Sequence, residues 1–177
     1  ESHRNEYIDT GILAVSGVNV EVTYSINDLS NAGIFGARVS GFRFWNIVYS
    51  NYFEVGLGGD NAISTLLPTI GNRYVHKLET NSNGWTAYYD GEVILSGRDV
   101  ATSTSVGGNI WLFKINAVSG STYAGALKMY SAKLWQDNVL VRHLLPIKNS
   151  TTNEYALYDI VNKVIYHNEG TGAFTGE

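Results

Sequence analysis

Apolar residues recur along this chain at every second position, in short runs broken by Gly, Asn and Asp. The clearest run spans 18–26, where Val18, Val20, Val22 and Tyr24 share one face and Asn19, Glu21 and Thr23 the other. Similar alternation predicts strands over 7–13, 34–39, 42–48 and 52–57. Strands at 73–80 and 85–89 flank Asn81-Ser82-Asn83-Gly84, whose Asn-Gly pair tolerates the positive φ of a tight hairpin. Asp90-Gly91 then turns the chain into 92–95. Residues 97–108 and 116–125 are small and polar and read as loops around a strand at 109–115. Further on, Tyr130, Ala132 and Leu134 are expected on one face and Met129, Ser131, Lys133 and Trp135 on the other. Gln136-Asp137-Asn138 turns the chain into a strand at 139–145, and 155–160 pairs with 163–166 around Val161-Asn162.

About a dozen short strands at this spacing predict an all-β, two-sheet antiparallel sandwich. A length of 177 residues suits one domain, 1–177, with a core large enough to fold without disulfides or structural metal. The chain opens at its first strand-like segment and reads as one module of a longer protein. Composition agrees: 19 Gly, 12 Tyr and 4 Trp against only 16% charged residues suit half-buried pleated surfaces. The absence of cysteine excludes thiolate metal sites and cysteine nucleophiles. Charge is −4 and scattered, with no Lys/Arg run to neutralise phosphates, so nucleic-acid binding is disfavoured. No apolar stretch approaches bilayer length, so membrane insertion is not expected, and Glu1-Ser2-His3-Arg4 lacks a signal-peptide pattern.

Several segments then resemble a known family in order along the chain. They are Tyr7-Ile8-Asp9-Thr10-Gly11-Ile12, Gly33-Ile34-Phe35-Gly36-Ala37-Arg38, Tyr88-Tyr89-Asp90-Gly91 and Leu112-Phe113. The most specific are Lys128 to Trp135, Leu140 to Pro146, Leu157-Tyr158-Asp159, and the ending Asn168-Glu169-Gly170-Thr171-Gly172-Ala173-Phe174. Together they are similar to the concanavalin-A-like jelly rolls, in particular the laminin-G-like modules of phage tail and gut-bacterial surface proteins. The resemblance departs at His143, where an acidic residue is expected, and in a longer insert between Pro146 and Tyr155. Tyr158-Asp159 beside the Gly-rich tail suggests a final strand closing against the first. The resemblance implies an extracellular, cell-surface or virion location, and a module that binds a ligand. Because the fold hosts lectins, glycosidases and adhesion modules alike, function has to come from a site.

A retaining glycosidase needs two carboxylates about 5 Å apart, yet the only close set, Asp90-Gly91-Glu92, sits in a hairpin turn. His3, His76, His143 and His167 have no zinc spacing, and no Gly-x-Ser-x-Gly elbow occurs, so no enzyme is expected. The fold admits calcium as a cofactor, and Asp28, Asp60, Asp90 and Asp99 fall in predicted loops. Without EF-hand spacing they read as solvated aspartates. Gly56-Leu57-Gly58-Gly59-Asp60 has no helix after it to present to a phosphate, and reads as a turn.

Sugar recognition stacks apolar C–H faces on aromatic rings and bonds hydroxyls with amides, carboxylates or guanidiniums. Arg43, Trp45, Asn46, Tyr49, Asn51 and Tyr52 combine both elements around one strand pair, and Trp85 with Tyr88 forms a second cluster. Phe42, Phe44, Trp111 and Trp135 read as core fillers instead. The expected partner is therefore a glycan or cell-surface polysaccharide. A structural module that pairs with neighbouring domains or with copies of itself is the alternative.

Overall fold

The computed structural model describes residues 1–39, 41–97, 107–118 and 122–176, and in them the alternating runs become fifteen strands. In chain order these are β1 (Ile8–Leu13), β2 (Val18–Ile26), β3 (Ala32–Val39), β4 (Phe42–Val48), β5 (Phe53–Gly58), β6 (Asp60–Ile63), β7 (Arg73–Asn81) and β8 (Gly84–Tyr89). There follow β9 (Glu92–Gly97), β10 (Asn109–Leu112), β11 (Asn116–Ala117), β12 (Leu127–Gln136), β13 (Val139–Lys148), β14 (Tyr155–Asp159) and β15 (Val164–Tyr166).

Two sheets face each other in a jelly-roll-like sandwich. One has the order β1-β10-β3-β4-β5-β6, with β11 added parallel to β3. The other, of eight strands, has the order β15-β14-β13-β12-β2-β7-β8-β9. All other pairings are antiparallel, which lets each sheet turn one apolar face inward and one polar face outward. Val18, Val20, Val22 and Tyr24 of β2 meet Phe35, Phe44 and Val55 of the opposite sheet in the shared core. Each fully buried side chain of this size contributes about 1.5–3 kcal/mol. Local chemistry explains the turns: Asp90 and Gly91, and likewise Asp137 and Asn138, hold positive φ at both central positions, as a two-residue hairpin requires.

Several expectations need correction. The expected strand at 109–115 stops at Leu112, because Phe113 adopts φ 69° and hands its N–H to the Ile34 carbonyl. The expected loop at 116–125 contains β11, and the loop at 97–108 lies largely outside the described residues. Gly56 and Leu57 belong to β5; only the turn at Gly58, with φ 62°, is tight, and β6 follows it directly. A bulge between Met129 and Ser131 reverses part of β12, so Met129 is buried and Tyr130 faces out. Finally, β14 pairs with β13 and β15 and not with the first strand. The tail after β15 reaches the segment before β1, through Glu169 N–H to the Tyr7 carbonyl and Tyr7 N–H to Asn168 Oδ1.

Candidate functional site

The outer face of the eight-stranded sheet is a flat array whose rows are set by register. One row crosses six strands as His143, Lys133, Glu21, Lys77, Tyr88 and Val93. Lys133 Nζ donates to Glu21 at 2.8 Å, and Lys77 Nζ lies 2.5 Å from Glu79. The Lys77 ammonium is also 5.8 Å from the ring centres of both Tyr88 and Trp135. Tyr88 Oη donates to the second oxygen of Glu79 at 2.8 Å. Lys77 thus sits between two half-buried aromatic rings, and Glu79 ties it to one of them. The hydrogen bond from Lys77 lowers the Glu79 carboxyl from its ordinary value; burial opposes this, and Tyr88 adds to it. The same bond to Glu79, helped by burial, raises the Tyr88 phenol.

Beside these rings a polar cleft of about 510 Å³ opens where three turns converge. Asp137 N–H donates to the Gly17 carbonyl, Gly17 N–H to Thr80 Oγ1, and Thr80 N–H to Asn19 Oδ1. These bonds lock the β1–β2, β7–β8 and β12–β13 turns together, and Gly17 meets its share of them at φ 85°. Asn19, Glu79, Asn81, Ser82, Asp137 and Asn138 line the cleft, and Asn19 is the direct cross-strand partner of Trp135. Glu79 also borders a second hollow of about 340 Å³ that contains Lys77, Tyr88 and Glu21. Rings, an ammonium, amides and carboxylates therefore follow one another across one exposed surface. Groups of these types are able to stack flat apolar faces and to hydrogen-bond hydroxyls.

The eight residues expected from sequence occupy three places. Arg43, Trp45, Tyr49, Asn51 and Tyr52 lie on β4, the β4–β5 turn and the outer face of the other sheet. There the Tyr49 and Tyr52 rings are 4.6 Å apart, but Trp45 is only 3% exposed, packed against Ile47, Ile115 and Tyr123. Asn46 points inward and donates to His76 between the sheets. Trp85 is a core residue, 2% exposed, with Gly97 against its ring. Neither Asn46 nor Trp85 is open to a ligand. Tyr88 alone lies on the array of the eight-stranded sheet. Of the expected core fillers, Phe44 is buried, but Trp111 is half-buried against Tyr7 at 4.0 Å and Trp135 faces outward.

The sequence reading missed Lys77, Glu79, Asn19 and Trp135, although alternation had already placed Lys133 and Trp135 together. The loop aspartates do not converge: Asp28 pairs with Arg4, Asp90 accepts from Val75 N–H, and Asp99 lies outside the described residues. No group of three or more His, Asp or Glu side chains fit to hold a metal occurs among the described residues.

No family model and no curated protein matches the chain. Among solved structures, the fold is similar to that of a Bacteroides ovatus protein inferred to bind carbohydrate, with a TM-score of 0.66 and 14% identity. That likeness covers 97% of this chain but 58% of the other, so this chain spans little more than half of that structure. More distant likenesses are to an alginate lyase of polysaccharide lyase family 7 (TM-score 0.44, 14% identity, 73% and 62% of the two chains) and to the carbohydrate-binding module CBM66 from Bacillus subtilis (0.42, 15%, 72% and 84%). At 14% identity the first of these likenesses speaks for the sandwich fold alone.

Proposed function

We propose that the chain is a non-catalytic carbohydrate-binding module that holds a neutral glycan against the outer face of its eight-stranded sheet. The observation that carries this is the placement of Lys77 between the Tyr88 and Trp135 rings, with its ion-pair partner Glu79 lining the amide-rich cleft. Neutrality follows from pairing. Glu21 with Lys133 and Glu79 with Lys77 cancel locally, and the remaining carboxylate of the cleft lining, Asp137, disfavours an anionic sugar. The similarity of the termini and of Lys128 to Trp135 to laminin-G-like modules extends the proposal to a phage tail or bacterial surface protein acting outside the cell.

A glycan array with the wild-type chain and Trp135→Ala tests the reading. Binding to uncharged glycans that drops at least tenfold in the variant is expected, as for an aromatic anchor. A blank array, or binding indifferent to Trp135, overturns it.

A second reading, a module that docks to a neighbour or a copy of itself, draws on a different surface. Val139, Ile160, Val161, Val164 and Ile165 are 42–64% exposed around the edge strand β15 and its turn. Light scattering that shows an oligomer, dissociated by Val164→Lys, supports this reading.

A further inference from the structure

The outer face of the other sheet carries a constellation of opposite character. Arg38 of β3 and Arg43 of β4 are direct cross-strand partners, so two like charges occupy the position where pairs interact most strongly. Among the described residues neither guanidinium forms an ion pair. Arg43 has one long hydrogen bond, from Nη1 to the Gly59 carbonyl at 3.4 Å. The carboxylate of Glu54, on the same face of β5, accepts from Asn61 Nδ2 at 3.0 Å and meets neither arginine.

Both guanidiniums are instead held over one indole, with centroid distances to Trp45 of 5.4 Å for Arg38 and 5.2 Å for Arg43. The residues that β5 sets opposite Arg43 and Trp45 are Gly58 and Gly56. A Cβ at Gly56 would fall 2.8 Å from Trp45 Nε1 and 3.1 Å from the Arg43 stem, so the glycine is what lets the indole and the arginine settle there. Trp45 is too buried to stack a ligand and serves as the platform that orders the two charges. Beyond the end of β4, Tyr123 links the Trp45 ring (5.9 Å) to that of Tyr49 (6.1 Å), and the Tyr49 and Tyr52 rings offer half-buried flat surface.

We propose that Arg38 and Arg43 bind an anionic sugar group, a carboxylate or a sulfate, on a polysaccharide that runs along β4 toward Tyr49 and Tyr52. An anion between the guanidiniums relieves their repulsion and accepts the forked N–H donors that the fold leaves unspent. The inference rests on the reading of the chain as a glycan binder, but not on the Trp135 face.

Affinity electrophoresis through gels containing polygalacturonate, its carboxyl-reduced neutral counterpart, or dextran sulfate tests it. Retardation by an anionic polymer is expected, weakened about tenfold by Arg38→Gln or Arg43→Gln. Retardation by polygalacturonate alone identifies the carboxylate, and retardation by dextran sulfate identifies the sulfate. Both Gln variants should keep wild-type urea midpoints, so lost binding is not lost fold. No retardation by either anion, or retardation indifferent to both arginines, overturns the inference. Loss of neutral-glycan binding in Trp135→Ala alone bears on the other face only.

Discussion

Asn46 Nδ2 donates to Nδ1 of His76 at 2.9 Å in the space between the two sheets, where His76 is wholly buried and Asn46 is 1% exposed. Tyr24 Oη lies 3.1 Å from the same ring nitrogen, and Phe53 and Tyr89 pack on the imidazole. A nitrogen that accepts from Asn46 is unprotonated, so the histidine is neutral. Burial pushes its pKa down to about 3 from 6.5.

That depression makes acid unfolding begin early. The unfolded chain protonates its histidine near pH 6.5 while the folded chain resists until about pH 3, so stability falls as pH drops through that window. Urea unfolding at pH 7 and pH 5 should show a loss of about 2 kcal/mol. The variant His76→Phe should lose this part of the slope. An equal slope in both proteins would mean that His76 is protonated in the fold.

Gly36 and Gly41 both take φ values that favour glycine, 142° and 81°, but only Gly36 is crowded. A Cβ at Gly36 would fall on the Phe44 carbonyl oxygen and 2.6 Å from Trp45 Cα, whereas at Gly41 nothing lies within 4 Å. Gly36→Ala therefore combines backbone strain with overpacking, and should cost about 3 kcal/mol or more. Gly41→Ala carries only the backbone cost, about 1 kcal/mol. Denaturant midpoints that fail to separate the two would show that β3 and β4 can move apart at this row.

Much of this fold was legible from alternation, and what was not depends on strands distant in sequence. The β2 pattern of Val18, Val20, Val22 and Tyr24 is correct as written, because a strand fixes its own two faces. Met129 and Tyr130 exchange faces because a bulge against β2 inserts one residue, and nothing in the local composition marks it. Trp45 and Trp135 exchange expected roles for a similar reason. Trp45 is covered by Tyr123 and Ile115 from a distant segment, while no segment among the described residues lies over Trp135 in the same way. The candidate site was half visible, in Tyr88 and in the pairing of Lys133 with Trp135. Its other members, Lys77, Glu79 and Asn19, come together only through the order β12-β2-β7-β8.

Asp159 is fully buried and accepts from the backbone N–H groups of His143 and Val161 and from Asn162 Nδ2, at 3.0, 3.0 and 2.7 Å. Burial pulls its pKa up, but these hydrogen bonds outweigh it and leave the carboxyl below its ordinary 3.8. Its stabilisation is therefore present above 3.8 and lost as pH falls through the folded value. Asp159→Ala, which strands three donors, should cost about 3 kcal/mol at pH 7. The same variant should flatten only the most acidic part of the stability profile and leave the His76 window intact. A change confined to pH 5–7 would refute this assignment.

Lys77 separates a binding role from a structural one. Its side chain is a third exposed, and its ammonium is paired with Glu79 and held near the Tyr88 and Trp135 rings. Ion pairs at that exposure contribute at most about 1 kcal/mol, so Lys77→Gln should unfold within that margin of the wild type. The bound glycan loses more, because the ammonium is the donor held between the two rings. Titration calorimetry with a glycan selected on the array should show affinity reduced about tenfold, with Tyr88→Phe intermediate because the ring remains and only its bond to Glu79 is lost. If Lys77→Gln binds as tightly as the wild type while Trp135→Ala does not, the rings alone carry recognition and the ammonium serves only to hold Glu79 in place.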